Sequence, residues 1–323
     1  MKKKILGFGN AVLDMISESS DEYLLKNNLE KGSMSLVEQD ISDKLTREIN
    51  LIKKSSGGSV ANTLVGISLL GTPTLFCGKV KNDDLGNDFK EDMEKSGTKF
   101  LCNQSETGLP TARCLVFVTP DGERTMQTFL GASTTLDEGD VSESFFEEVR
   151  FLLIEGYLWS SESARRAIFK AIEISKKYKI KIIFSLSNHN LVKMFKNDFL
   201  KFITDHVDIL IGNEMEFFEI FSSKEEKIIS NKVSDSLEIC IMTKSKNGVT
   251  IFKDKKTFNS EAYKVDNVVD STGAGDMFAA GFISKLSYED NVVDAAKFGC
   301  KVAAKIIKQY GARPTRDLFR DLV

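Results

Sequence analysis

The sequence predicts an α/β fold, a mostly parallel sheet covered by helices on both faces, with a small separate β-sheet beside it. Short β-rich apolar runs alternate with helical stretches along most of the chain, the pattern of parallel strands joined by crossover helices. With 323 residues, 41% of them hydrophobic, 28% charged and only four prolines, the chain can bury a large core without disulfides or a structural metal. Two stretches, 17–37 and 108–131, break the alternation and read as extended segments and hairpins.

In order, Lys4–Gly9 reads as a strand and Val60–Leu70 as a helix stopped by Gly71. Thr74–Gly78 is a strand, and Asp84–Lys95 a helix ending near Gly97. Phe151–Ile154, Ile180–Ser185, Val207–Ile211 and Ile239–Thr243 are β-rich, with helices such as Ser163–Tyr178 and Glu214–Phe221 between them. Asn291–Gln309 is helical, with Gly311 placed as its C-terminal cap. Thr119-Pro120-Asp121-Gly122 between two β-rich runs is a strong hairpin signal. The small sheet these irregular stretches form could serve as a lid over a site or as an oligomer contact.

Several function classes drop out. The 44 basic and 47 acidic residues are intermixed, so nucleic acid and anionic membranes have no electrostatic footprint. Five scattered cysteines with no CxxC suit free thiols, and two histidines are too few for a His-rich zinc site. The uncharged segment Ser55–Gly78 carries five glycines and many hydroxyls, so it is not a membrane helix. The expected location is the cytoplasm.

The most informative stretch is Asp270-Ser271-Thr272-Gly273-Ala274-Gly275-Asp276, followed at once by an apolar helix. The small residues allow close backbone approach, and helix-terminal N–H groups with the helix dipole favour an anion. Asp276 in the first turn is either a helix cap or a general base; capping leaves Asp270, six residues earlier, unexplained. Ser56-Gly57-Gly58-Ser59-Val60-Ala61-Asn62 reads alone as a loop-to-helix junction, or as a loop binding a polyhydroxylated ligand through backbone and the Asn62 amide. Gly7-Phe8-Gly9-Asn10 begins like a dinucleotide fingerprint, but Val12 stands where the third glycine is required. Asn10 and Asp14 instead place an amide and a carboxylate where vicinal hydroxyls could bind. Glu216, in Asn213-Glu214-Met215-Glu216, suits either a metal–phosphate cluster or a helix N-terminus.

In this order, these four stretches resemble the PfkB/ribokinase family of small-molecule kinases, from Lys4 to Arg313. Gly57–Asn62 is similar to its N-terminal signature, Asp270–Asp276 to its C-terminal signature, and Asn213–Glu216 to its N-x-x-E motif. Within the family the chain resembles bacterial-type adenosine kinases, through Gly9–Asp14, Thr119–Thr125, Leu130–Ser133, Glu155–Trp159 and Gly311–Arg313. The resemblance implies a three-layer ribokinase-like fold, one kinase domain over residues 1–323, with a lid from roughly 15–38 and 100–132. It implies ATP and Mg²⁺, and a small nucleoside or sugar substrate, in a monomer or a homodimer formed through the lid. Asp276 becomes the base, and Gly273, Ala274 and Gly275 the anion hole. Asn10, Asp14, Gly57, Gly58 and Asn62 hold the sugar. Asn213 and Glu216 organise phosphate and Mg²⁺, Glu216 through water, while Thr243 and Gly248 bind the nucleotide and Arg124 approaches the phosphates. Relatives often carry Asp-Pro where this chain has Ser187-Asn188-His189-Asn190, so a carboxylate is missing there. The implied activity is phosphorylation of a nucleoside 5′-hydroxyl, adenosine foremost. The alternatives are a sugar kinase of the same family and a catalytically silent nucleoside- or nucleotide-binding regulator.

Overall fold

The computed structural model describes residues 3–233 and 237–322. In chain order its strands are β1 (Lys4–Phe8), β2 (Val12–Glu18), β3 (Met34–Leu36), β4 (Leu51–Gly57), β5 (Thr74–Cys77), β6 (Thr98–Phe100), β7 (Ala112–Val118), β8 (Arg124–Phe129), β9 (Val149–Glu155), β10 (Lys181–Ser185), β11 (Ile209–Asn213), β12 (Ile239–Thr243), β13 (Val249–Lys253) and β14 (Lys256–Ser260). Nine of them form one sheet in the order β14-β13-β12-β11-β10-β9-β1-β5-β6. Neighbours from β12 to β6 run parallel, and β13 and β14 add an antiparallel edge. From β1 the chain builds outward through β5 and β6, and from β9 in the opposite direction. Right-handed crossovers on both sides put helices on opposite faces and leave a crevice at the carboxyl ends of β1 and β9. The strands beside that crevice are almost wholly buried apolar residues, as a sheet covered on both faces requires. Beneath them, Trp159 packs edge-on against Phe184, Phe199 and Phe202.

The expected α/β architecture is the one observed. Asp84–Lys95, Glu214–Phe221 and Ile239–Thr243 have the expected bounds. Gly71 (φ 85°) and Gly97 (φ 87°) follow their helices in the left-handed conformation. Gly311 is different: the last helix ends at Ile306, and the Gly311 amide donates instead to Asp270 Oδ2 at 2.7 Å.

The remaining strands form a second sheet in the order β3-β8-β7-β2-β4. The β7–β8 hairpin turns at Thr119–Gly122, closed by the Gly122 amide on the Thr119 carbonyl at 2.8 Å. Two features depart from expectation. The stretch 17–37 holds a helix, Asp21–Lys26, because Ser20 caps it by accepting from the Tyr23 amide at 3.1 Å. Leu51–Gly57, which was not expected as a strand, joins the sheet at its edge beside β2.

One face of this sheet packs through Met15, Leu115 and Phe117 on Leu24 and Leu45 of its own helices. Strand alternation puts Val12, Asp14, Ile16, Cys114, Val116 and Met126 on the other face. Leu13, beside Val12, points the opposite way into the main core. Four connections hang the small sheet on the main domain, residues 101–111 and 130–148 and two much shorter joints. Residues 9–11 connect β1 to β2, and Gly58 alone connects β4 to the helix Ser59–Leu69.

Candidate active site

Gly273 adopts φ 78°, and a Cβ there would lie 2.6 Å from the Ala312 Cβ, so the loop needs glycine at this position. It caps the helix Ala274–Leu286, whose first amides have no partner within their own helix. Beside Gly275 the space is open, with nothing within 4 Å of a Cβ. Ala274, Gly275 and Asp276 line a cavity of about 1100 Å³ at the carboxyl ends of the main strands. The Ala274 amide, expected in the anion hole, donates instead to the Ser271 carbonyl at 3.1 Å. The Gly275 amide, the helix dipole and the open volume beside it are what suit an anion here.

The carboxylate of Asp276 does not cap its own helix. Ser59 Oγ donates to its Oδ1 at 2.7 Å and Asn62 Nδ2 to its Oδ2 at 3.2 Å, both from the facing helix. Thr63 Oγ1 donates to the Asp276 carbonyl at 3.3 Å. Burial pushes the carboxyl up to about 6 against the effect of these hydrogen bonds.

Asp14 stands on the inner face of β2, with Gly57 beside it; a Cβ on Gly57 would lie 2.8 Å from Asp14 Oδ2. Burial raises Asp14 to about 6, opposed by Arg313 and Arg124 and reinforced by Asp276. Gly58 (φ 94°) brings the second loop against the first, since a Cβ there would lie 2.3 Å from the Asn10 carbonyl oxygen. Asn10, Asp14, Gly57, Gly58 and Asn62 thus lie close to one another and outside the lining of the cavity, which Asp276 shares. Asn62 is committed at both ends, its Oδ1 accepting from Arg313 Nη1 at 3.4 Å.

Asn213 and Glu216 form a reciprocal cap. Asn213 N and Nδ2 donate to Glu216 at 2.8 and 2.9 Å, and Glu216 N donates to Asn213 Oδ1 at 3.0 Å. Burial pushes Glu216 up to about 7 against its Asn213 hydrogen bonds. Both residues line the cavity, as do Thr243 and Gly248. Among the described residues there is no group of three or more His, Cys, Asp or Glu able to hold a metal. A single carboxylate with its oxygens already engaged fits a divalent cation held chiefly by phosphate and water.

Arg124 lies outside the cavity lining, on the flank of the anion loop. Its Nη2 pairs with Asp270 at 2.7 Å and its Nη1 donates to Thr272 Oγ1 at 3.1 Å. Asp270 itself ties the loop together, accepting also from the Thr272 amide and hydroxyl and the Gly311 amide. Burial would raise this carboxyl; the Gly311 and Thr272 hydrogen bonds and Arg124 outweigh it and hold it low. In the Ser187–Asn190 segment, Ser187 Oγ accepts from the Gly156 amide at 2.9 Å and Asn188 caps the helix His189–Met194. Hydroxyls of Ser185 and Ser187 therefore line the cavity where a carboxylate was expected.

Glu155 had drawn no role from the sequence. Fully buried at the end of β9, it accepts from the Asn10 amide at 2.8 Å and the Val60 amide at 2.9 Å, pinning both ligand loops to the main sheet. Its signal is a carboxylate closing an otherwise apolar run, Phe151–Ile154. Burial pushes it up to about 7 against those two bonds, and Asp276 adds to the rise. Asp14, Glu155 and Asp276 all have folded values above the ordinary carboxylate range, so each favours the folded state most when protonated, and that stability is lost as pH rises from the ordinary range through about 6 to 7. The ligand-free protein is expected to melt lower at pH 8 than at pH 5. Melts of Asp14→Asn beside wild type check this, because the difference between the two pH values should shrink in the variant.

A family model described as pfkB family carbohydrate kinase matches residues 33–317. The solved adenosine kinase from Sinorhizobium meliloti is 31% identical, with 100% of this chain and 99% of that one covered at a TM-score of 0.91. A probable sugar kinase from Rhizobium etli is likewise 31% identical, covering 99% and 97% at a TM-score of 0.90. A 5-dehydro-2-deoxygluconokinase of Bacillus subtilis is 24% identical over 290 residues, 85% of this chain and 89% of that protein.

Proposed function

Because this chain belongs to the pfkB family of carbohydrate kinases, and is therefore a phosphotransferase with an alcohol acceptor, we propose that it phosphorylates the 5′-hydroxyl of a nucleoside, adenosine foremost, with Asp276 as general base. The observation that carries the nucleoside reading is the inner face of the small sheet. Next to Asp14 that face is apolar, with Val12, Ile16, Cys114, Val116 and Met126 packed together. A flat purine gains from such a surface, whereas a free sugar would meet it with hydroxyls left unpaired.

Asp14 accepts from the two ribose hydroxyls, and Asn10, Gly57 and Gly58 shape the same edge. Asp276 takes the proton of the acceptor hydroxyl as its oxygen bonds to the γ-phosphorus of ATP, the bond from that phosphorus to the β,γ-bridging oxygen breaks and ADP leaves. Of the Gly273, Ala274 and Gly275 amides, those of Gly273 and Gly275 receive the charge of the γ-phosphoryl group, the Ala274 amide being held by the Ser271 carbonyl. ATP occupies the cavity against Thr243 and Gly248. Asn213 and Glu216 would hold Mg²⁺ through water, which would supply positive charge against the phosphates. Arg124 draws the small sheet onto the anion loop, which as a lid excludes water and suppresses ATP hydrolysis. A base poised across two helices also argues against a silent binding protein, which has no use for one.

The test is kcat/KM with Mg-ATP across adenosine, inosine, guanosine, ribose, fructose and 5-dehydro-2-deoxygluconate. Adenosine is expected to exceed every non-nucleoside by more than about tenfold. A higher value for ribose, fructose or the sugar acid overturns the nucleoside assignment and leaves the family membership standing.

A further inference from the structure

Ser59 lies between the cavity and the proposed base. It lines the cavity and opens its helix directly after Gly58, which carries no side chain to fill that corner. Of the two groups that hold the Asp276 carboxylate, Asn62 is buried and is also bonded to Arg313. Ser59 makes the shorter bond, 2.7 Å against 3.2 Å, and stands on the cavity side. A carboxylate held by one oxygen alone can swing about its side-chain bonds. Held by both, it keeps one plane and one set of free lone pairs.

We propose that Ser59 is a positioning residue for phosphoryl transfer, its hydroxyl fixing Oδ1 of Asp276 so that the carboxylate faces the acceptor hydroxyl. The proposal rests on the reading of Asp276 as base. The electrostatic surroundings make the hydroxyl matter further. Asp14 from β2, Glu155 from β9 and the Tyr157 phenol are the acidic groups nearby, each raised in part by the Asp276 charge. The positive groups nearby are committed elsewhere, Arg313 to Asp92 at 2.6 Å and Arg124 to Asp270. Burial favours the protonated acid, and the donated hydrogen bonds from Ser59 and Asn62 oppose that. Loss of the Ser59 bond therefore leaves the base protonated to higher pH.

The experiment is the pH dependence of kcat for wild type, Ser59→Ala and Ser59→Thr, with the best acceptor of the panel, beside Asp276→Asn at one pH. A hydrogen bond to a charged group predicts that Ser59→Ala moves the acid limb upward by about one pH unit. Turnover should then fall severalfold near pH 6 while acceptor KM stays within about twofold. Ser59→Thr, which keeps the hydroxyl, should return the limb to its wild-type position. An acid limb unmoved in Ser59→Ala overturns the proposal, whether or not kcat is lowered uniformly. So does a limb displaced equally in Ser59→Thr. Wild-type turnover in Asp276→Asn would overturn the base assignment itself, a different outcome from a dead Asp276→Asn with an unmoved Ser59→Ala.

Discussion

Asp276→Asn is expected to lower kcat by about 10²–10⁴-fold while the protein still folds and still binds acceptor and ATP. Asparagine keeps the size of the side chain and can still accept from Ser59, so the helix junction persists. What it removes is the proton acceptor. If Asp276 were only a helix cap, asparagine would replace it at little cost, because the two residues cap about equally well. Both carboxylate oxygens accept from the neighbouring helix, through Ser59 and Asn62, rather than from amides of their own helix. The measurement is kcat beside ligand affinity and melting temperature. A kcat near wild type would sink the catalytic assignment. In the wild type, activity should fall as pH drops through about 6, where burial has placed this carboxyl and protonation silences it.

Asp14→Ala is expected to raise KM for the acceptor by about 10²-fold or more and KM for ATP by far less. A carboxylate accepting from two hydroxyls makes two hydrogen bonds to a charged group, each contributing about 1.5–3 kcal/mol. Asp14 stands outside the lining of the cavity, so the nucleotide does not feel its loss. Equal increases in both constants, or no increase, would remove it from the acceptor site. Acceptor KM should also rise in the wild type as pH falls through about 6, because the raised carboxyl is then protonated and loses acceptor capacity.

Features set by local chemistry were legible in the chain itself. The Gly273-Ala274-Gly275 turn, the Thr119–Gly122 hairpin and the glycines after two helices depend on a few adjacent residues, and the structure has them where their chemistry demands. Long apolar strands were equally readable. β4 was not: Leu51-Ile52-Lys53-Lys54 is exposed and lacks the buried alternation by which a strand announces itself. Partnerships across the chain were also out of reach. Arg313 meets Asp92 from 221 residues away, Asp276 meets Ser59 from 217, and Glu155 joins Asn10 and Val60 from opposite ends of two crossovers. Side chains quoted as candidates were found near one another. Which of them hold the ligand and which hold each other depended on distances that no spacing encodes, as Asn62 and Arg124 illustrate.

The two shorter joints of the small sheet bear on timing. Asn10 sits in one and Gly58 is the whole of the other, so the residues proposed to hold the acceptor are the ones that would flex were the sheet to open as a lid. Opening and letting go would then be one motion, and a stiffer joint would be expected to lengthen product residence without any new contact. An alanine at Gly58, crowded against the Asn10 carbonyl, would alter the clock of the enzyme as much as its grip.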